Sequence, residues 1–73
     1  MNKDIIKGNW KQVKGKLKQQ WGKLTDDQIN EIEGSYDELE GILQKNYGYQ
    51  KEEVKKQIQT FIDSNEWEDN KML

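Results

Sequence analysis

This 73-residue chain predicts an all-α fold, a small domain of four helices, and three features of the sequence predict it. Large apolar residues recur at steps of three and four, the spacing that lines one face of a helix. Proline is absent, and the six glycines form two trios, Gly8, Gly15, Gly22 and Gly34, Gly41, Gly48, with a seven-residue step and a displacement of 26. Asn9, Thr25 and Ser35 each stand three positions ahead of a Gln or Glu, the spacing of a capping box.

Laid over one another, GNWKQVKGKLKQQWG and GSYDELEGILQKNYG match Trp10 with Tyr36, Val13 with Leu39, Leu17 with Leu43 and Trp21 with Tyr47. Shared glycine spacing and shared apolar phase together indicate an internal duplication. One repeat covers about 8–33, the second about 34–64, and 65–73 read as a polar tail of the same single domain, 1–73.

The first helix is expected near 10–21. Trp10, Val13, Leu17 and Trp21 share an arc of about 80° on a helical wheel, Asn9 with Gln12 signals the start, and Gly22 offers a left-handed stop. The second, near 26–32, has Thr25 as N-cap with Gln28 as its partner, and Asp26 and Asp27 complement the positive helix end. The third, near 36–47, runs from Ser35 with Glu38 to Gly48. The fourth, near 51–64, lacks a good cap but gathers Val54, Ile58, Phe61 and Ile62 on one face.

Connections of three to five residues suit helix pairs, so the chain reads as two helix-turn-helix hairpins. Gly15 and Gly41 interrupt helices at roughly 1 kcal/mol each relative to alanine. Both lie off the apolar arc, either as surface positions or as points where another backbone comes close. Trp67 lies past the last apolar face, and it either closes the core or stands out as an anchor for a partner.

The apolar set numbers 23 residues with no alanine, enough for one core if nearly every large side chain points inward. A chain of this length buries roughly 60 to 65% of its unfolded surface, so its stability is modest. Charged residues make up 36%, a composition shared with disordered chains; the periodicity argues for a fold. Cysteine and histidine are both absent, which removes disulfides, thiol nucleophiles, imidazole bases and the usual zinc and haem ligands.

The glycines are not spaced as a phosphate loop, and no segment has the ligand order of a calcium-binding EF-hand loop. Paired acids such as Asp26 and Asp27 read as helix caps. No enzyme activity, cofactor or metal is therefore expected. The first residues hold no apolar run of signal-peptide length, and no window approaches the ~20 apolar residues of a membrane span. A cytoplasmic protein with no membrane contact is expected.

The motif G-x-W-x-Q-x-K-G-K-x-K-x-x-W-G-x-L-T-D-D, followed by E-G-x-x-D-x-L-x-G-x-[IL]-Q-x-x-Y-G-Y, runs over residues 8–49. It resembles the CsbD-like family of small hydrophilic bacterial proteins. Trp10, Gln12, Lys14, Gly15, Lys16, Trp21, Gly22, Leu24, Thr25, Asp26 and Asp27 carry the first part of the match. The resemblance implies an all-helical, cytoplasmic protein linked to general stress response, with no assigned activity and no catalytic residues to carry over. The paired hairpins also resemble sterile-alpha-motif-like domains, a likeness of fold alone.

Charge is strongly segregated. The first 24 residues hold seven lysines and one acid, net +6, and the remainder holds five lysines and thirteen acids, net −8. Lys7, Lys11, Lys14 and Lys18 fall within about 60° on one continuous wheel. Such a stripe can follow a phosphate backbone with salt-dependent affinity, although the chain has no arginine for bidentate readout. The plainer reading is a solvated basic flank.

In the second repeat Asp37 and Glu40 occupy the positions of Lys11 and Lys14. Equivalent stripes of opposite sign invite a weak, salt-sensitive self-association.

Overall fold

A computed structural model describes residues 2–67, which form five α-helices and no strand: α1 Asn2–Gly8, α2 Trp10–Gln20, α3 Asp26–Ile32, α4 Tyr36–Tyr47 and α5 Lys51–Asp63. Each expected helix has its counterpart in α2 to α5. The count of four is corrected by α1, which packs on α4 and α5. Seven residues make a marginal helix in isolation, so docking holds it. Ile6, four residues before Trp10 and therefore one turn back along the same apolar arc, is fully buried.

The chain bends between α1 and α2 at Asn9 (φ −114°, ψ 28°). The Asn9 backbone N–H donates to the Ile5 carbonyl at 2.9 Å and its side-chain Nδ2 donates to the same oxygen at 3.1 Å. Asn9 thus finishes α1 and makes no side-chain cap for α2, contrary to the expected box with Gln12. The other two starts behave as the spacing predicts. Thr25 Oγ1 accepts the Gln28 N–H while Gln28 Oε1 accepts the Thr25 N–H, both at 3.1 Å, and Ser35 Oγ accepts the Glu38 N–H at 3.2 Å.

All five helices feed one core. Val13 and Leu17 of α2 and their aligned partners Leu39 and Leu43 of α4 are fully buried, as are Val54 and Ile58 of α5. Burial of each such side chain contributes roughly 1.5 to 3 kcal/mol. An aromatic row closes one side: Trp21 to Phe61 at 5.1 Å between centroids, and Phe61 edge-on to Trp67 at 5.7 Å. Trp67 is 2% exposed, and its indole N–H donates to the Ile62 carbonyl at 3.2 Å. It closes the core and is no exposed anchor. The rest of the expected tail, 68–73, lies outside the described residues.

Helix ends show where local rules gave way. Gly48 ends α4 in the left-handed region (φ 71°), as its position predicts. Gly22 does not play that part, because Trp21 has already left the helix (φ −129°, ψ 89°) to turn its indole into the core. Between α3 and α4 two successive residues are left-handed, Glu33 (φ 48°) and Gly34 (φ 81°). A Cβ on Gly34 would meet Lys7 Cα at 3.5 Å and Trp10 Cβ at 3.6 Å, so this turn lies tight against the bend at Asn9.

A polar lock ties α4 to α3 and to the loop before it. Asn46 Nδ2 donates to Gln28 Oε1 at 2.7 Å and to the Lys23 carbonyl at 3.1 Å, and Gln28 Nε2 returns a bond to Asn46 Oδ1 at 3.1 Å. The Lys23 N–H donates to the Tyr47 hydroxyl at 3.0 Å. The end of α4 is thereby held against the loop between α2 and α3.

Candidate functional site

Charge is the chemistry this chain displays, and the helices decide where it goes. α2 carries Lys11, Lys14, Lys16 and Lys18 and no acid, whereas α3 opens on Asp26 and Asp27 and α4 on Asp37 and Glu38. Lys11, Lys14 and Lys18 are exposed on the α2 surface. The bend at Asn9 puts Lys7 on a different helix, so the four lysines form two groups and no unbroken stripe.

Lys7 lines a groove with Lys3, Glu33, Ser35 and Asp37. Lys14 and Lys18 border a second groove with Asp26, Ile29 and Asn30. Two ion pairs form among the described residues. Lys18 Nζ lies 3.0 Å from Asp26 Oδ1 and Lys3 Nζ lies 3.6 Å from Asp37 Oδ1. All four side chains are more than half exposed, and pairs of this kind contribute at most about 1 kcal/mol.

The acidic pair divides. Asp37 is exposed, its side chain open to solvent, but Glu40 is 8% exposed and forms no part of a displayed stripe. α1 and α5 pack onto α4, and Tyr36, one turn before Glu40, hydrogen-bonds both its carboxylate and Asn2. Asn2 in turn donates to Gln59 Oε1 at 2.7 Å. Glu40 Oε2 is left without a hydrogen-bond partner. Burial pushes the Tyr36 phenol above its ordinary value of 10.0, and the Glu40 carboxylate pushes the same way.

Sequence reasoning did not single out Tyr36 and Glu40 as a buried polar pair. Their four-residue spacing was the available signal, since it stacks them on one side of α4.

Gly15 and Gly41 are resolved as exposed positions, with no atom within 4 Å of where a Cβ would stand. Among the described residues no group of three or more His, Cys, Asp or Glu side chains is placed to hold a metal ion, and no helix is long and apolar enough to cross a membrane.

The model of the family described as CsbD-like matches residues 4–56. The chain belongs to the CsbD-like family. Its relatives include the UPF0337 protein ECA0631 of Pectobacterium atrosepticum, 53% identical over 70 residues, which are 96% of this chain and 93% of that protein. The UPF0337 protein YjbJ of Escherichia coli K12 is 54% identical over 67 residues, 92% of this chain and 97% of its own length. A UPF0337 protein of Bordetella pertussis is 45% identical over 65 residues, 89% and 98% of the two chains.

None of these names states an activity. In this CsbD-like chain the signature residues divide by role. Trp21 and Leu24 are buried and Thr25 caps α3, whereas Lys14 and Gly15 face solvent.

Proposed function

We propose that the protein is a non-enzymatic interaction module of the bacterial stress response, acting in the cytoplasm through charge displayed on α2. The observation that carries this reading is the uncompensated lysine face. Lys11 and Lys14 are exposed on a helix without a single acid, and neither forms an ion pair among the described residues. Family membership supports the link to stress. On the same proposal the two hairpins, α2 with α3 and α4 with α5, are copies of one unit, supported by the matched burial of Val13 with Leu39 and Leu17 with Leu43.

An amide-resolved NMR titration tests the reading, with polyglutamate and short single- and double-stranded nucleic acid as probes, at low salt and at about 0.15 M, where the Debye length has fallen to about 8 Å. Shifts centred on α2 that fade as salt rises are expected with at least one polyanion. Unmoved α2 amides with every probe at low salt would sink it. Phosphate binding is the alternative use of the same lysines; the lack of arginine counts against it.

A further inference from the structure

We infer that the partner of the α2 face is a second copy of this chain, docked so that the lysines of α2 meet the acidic first turn of α4, with Gly15 and Gly41 at the crossing. This rests on the reading of α2 as a charge-operated binding face and names what it binds.

The charges are complementary at equivalent places. Lys11 stands four residues before Gly15, and Asp37 stands four before Gly41. On the wheel, Lys11 and Lys18 lie within about 60° of Gly15, and Asp37 and Glu38 lie within about 60° of Gly41. The Lys18 and Asp37 side chains are 56% and 76% exposed, so the ion pairs Lys18–Asp26 and Lys3–Asp37 are open to exchange. Lys11, Lys14 and Glu38 form no ion pair among the described residues. Lys45, four residues past Gly41 and exposed, and Lys3 and Lys7, which line the groove beside Asp37, are like charges on the α4 side, and they disfavour the orientations that bring them against Lys11 or Lys18.

The two glycines supply the contact geometry. Neither has a positive φ, and neither touches a neighbour that a side chain would displace. The fold of a single copy therefore does not call for glycine at either place, although each weakens its helix relative to alanine. Helix axes approach to 8 to 10 Å according to the side chains at the contact. A helix bare at its midpoint admits a neighbour at the short end of that range, and here both helices are bare between charges of opposite sign.

The contact joins two different surfaces, so copies close as a pair only if both α2–α4 contacts form at once; otherwise they run head to tail. Because every charge involved is solvent-exposed, the association is weak and strongly screened by salt.

Sedimentation equilibrium at millimolar protein, at low salt and at about 0.15 M, tests the proposal on the wild type and two charge-swapped chains. One carries Lys11→Glu with Lys14→Glu, the other Asp37→Lys with Glu38→Lys. The wild type is expected to associate at low salt and dissociate as salt rises. Each swapped chain alone should associate at least about tenfold more weakly, and an equimolar mixture of the two should regain the lost association. Gly15→Gln, which favours the helix and so cannot fail by unfolding, should also weaken association while raising the unfolding midpoint.

A wild type that stays monomeric at low salt overturns the proposal, as does a mixture that regains nothing or a Gly15→Gln chain that associates as before. If the wild type is monomeric while polyglutamate or nucleic acid still shifts the α2 amides, the binding-face reading stands and only this partner falls. If the α2 amides respond to nothing, both fall.

Discussion

α2 and α4 place the same apolar phase on the same core, yet they meet different surroundings. On α4 the position after Leu39 is Glu40, covered where α1 and α5 pack onto that helix. On α2 the equivalent position is Lys14, which is exposed. The helix that makes the difference, α1, packs on α4 and α5 as well as on its neighbour α2. α1 joins α2 through the bend at Asn9, whereas the chain reaches α4 from α3 through the left-handed turn at Glu33 and Gly34. A shared apolar phase thus decides what is buried on both helices, and the helices packed around each decide which charged flank is shown.

The largest expected effect comes from breaking the closure of the second half. Trp67 has no equivalent after α3, and it covers Phe61 edge-on. Trp67→Ala is expected to cost about 3 to 5 kcal/mol, read as a fall in the urea midpoint, and truncation after Ser64 should cost at least as much. An unchanged midpoint in both would mean that the aromatic row ends at Phe61.

Next is the lock between the halves. Asn46→Ala removes two bonds with Gln28 and one to the Lys23 carbonyl. Leaving those partners unsatisfied should cost roughly 1 to 3 kcal/mol. Hydrogen exchange is the sharper measurement, because the amides of α3 and its preceding loop should lose protection before those of α5. Equal loss everywhere would show that the lock is not what couples α3 to α4.

The comparison itself is tested by the same substitution type at its two equivalent positions. Glu40→Gln keeps the shape, keeps an oxygen for the Tyr36 hydroxyl and removes a buried carboxylate with an unpartnered oxygen. It should stabilise by about 1 kcal/mol. Lys14 neutralised to Gln is exposed and should stay within about 0.5 kcal/mol of the parent. Equal effects at the two sites would contradict the covering of Glu40 by α1. Gly15→Ala and Gly41→Ala should each add about 0.5 to 1 kcal/mol, and by similar amounts, since both Cβ positions are open.

Much of this was legible in the sequence, and what was not has physical causes. Val13, Leu17, Leu39 and Leu43 were legible because a 3.6-residue period can be read without knowing what lies opposite it. α1 was missed because Gly8 separates Ile6 from Trp10 in the eye although the two share an arc. Gly22 was expected to end α2, but the end was set by a long-range contact, Trp21 on Phe61. Whether Glu40 is displayed could not be read from a wheel, because its depth depends on α1 and α5. The lysine stripe was drawn on one continuous helix, and the bend at Asn9 divides it.

The smallest effect separates the flanks by pH. Tyr36 is neutral in the fold and its phenol is held above the ordinary value of 10.0, first by burial and then by the Glu40 carboxylate. A group whose pKa is raised on folding stabilises the fold fully below the unfolded value and loses that contribution as pH climbs through and beyond it. Tyr36→Phe should therefore be less stable than the parent at neutral pH, through loss of the bond to Glu40, and the gap should narrow as pH rises past about 10. Unfolding midpoints of the two chains on both sides of that pH measure it. Tyrosine and lysine titrations common to both chains cancel in the difference, so a gap that stayed constant would mean that Tyr36 ionises as freely in the fold as out of it, and that α1 does not shield this side of α4.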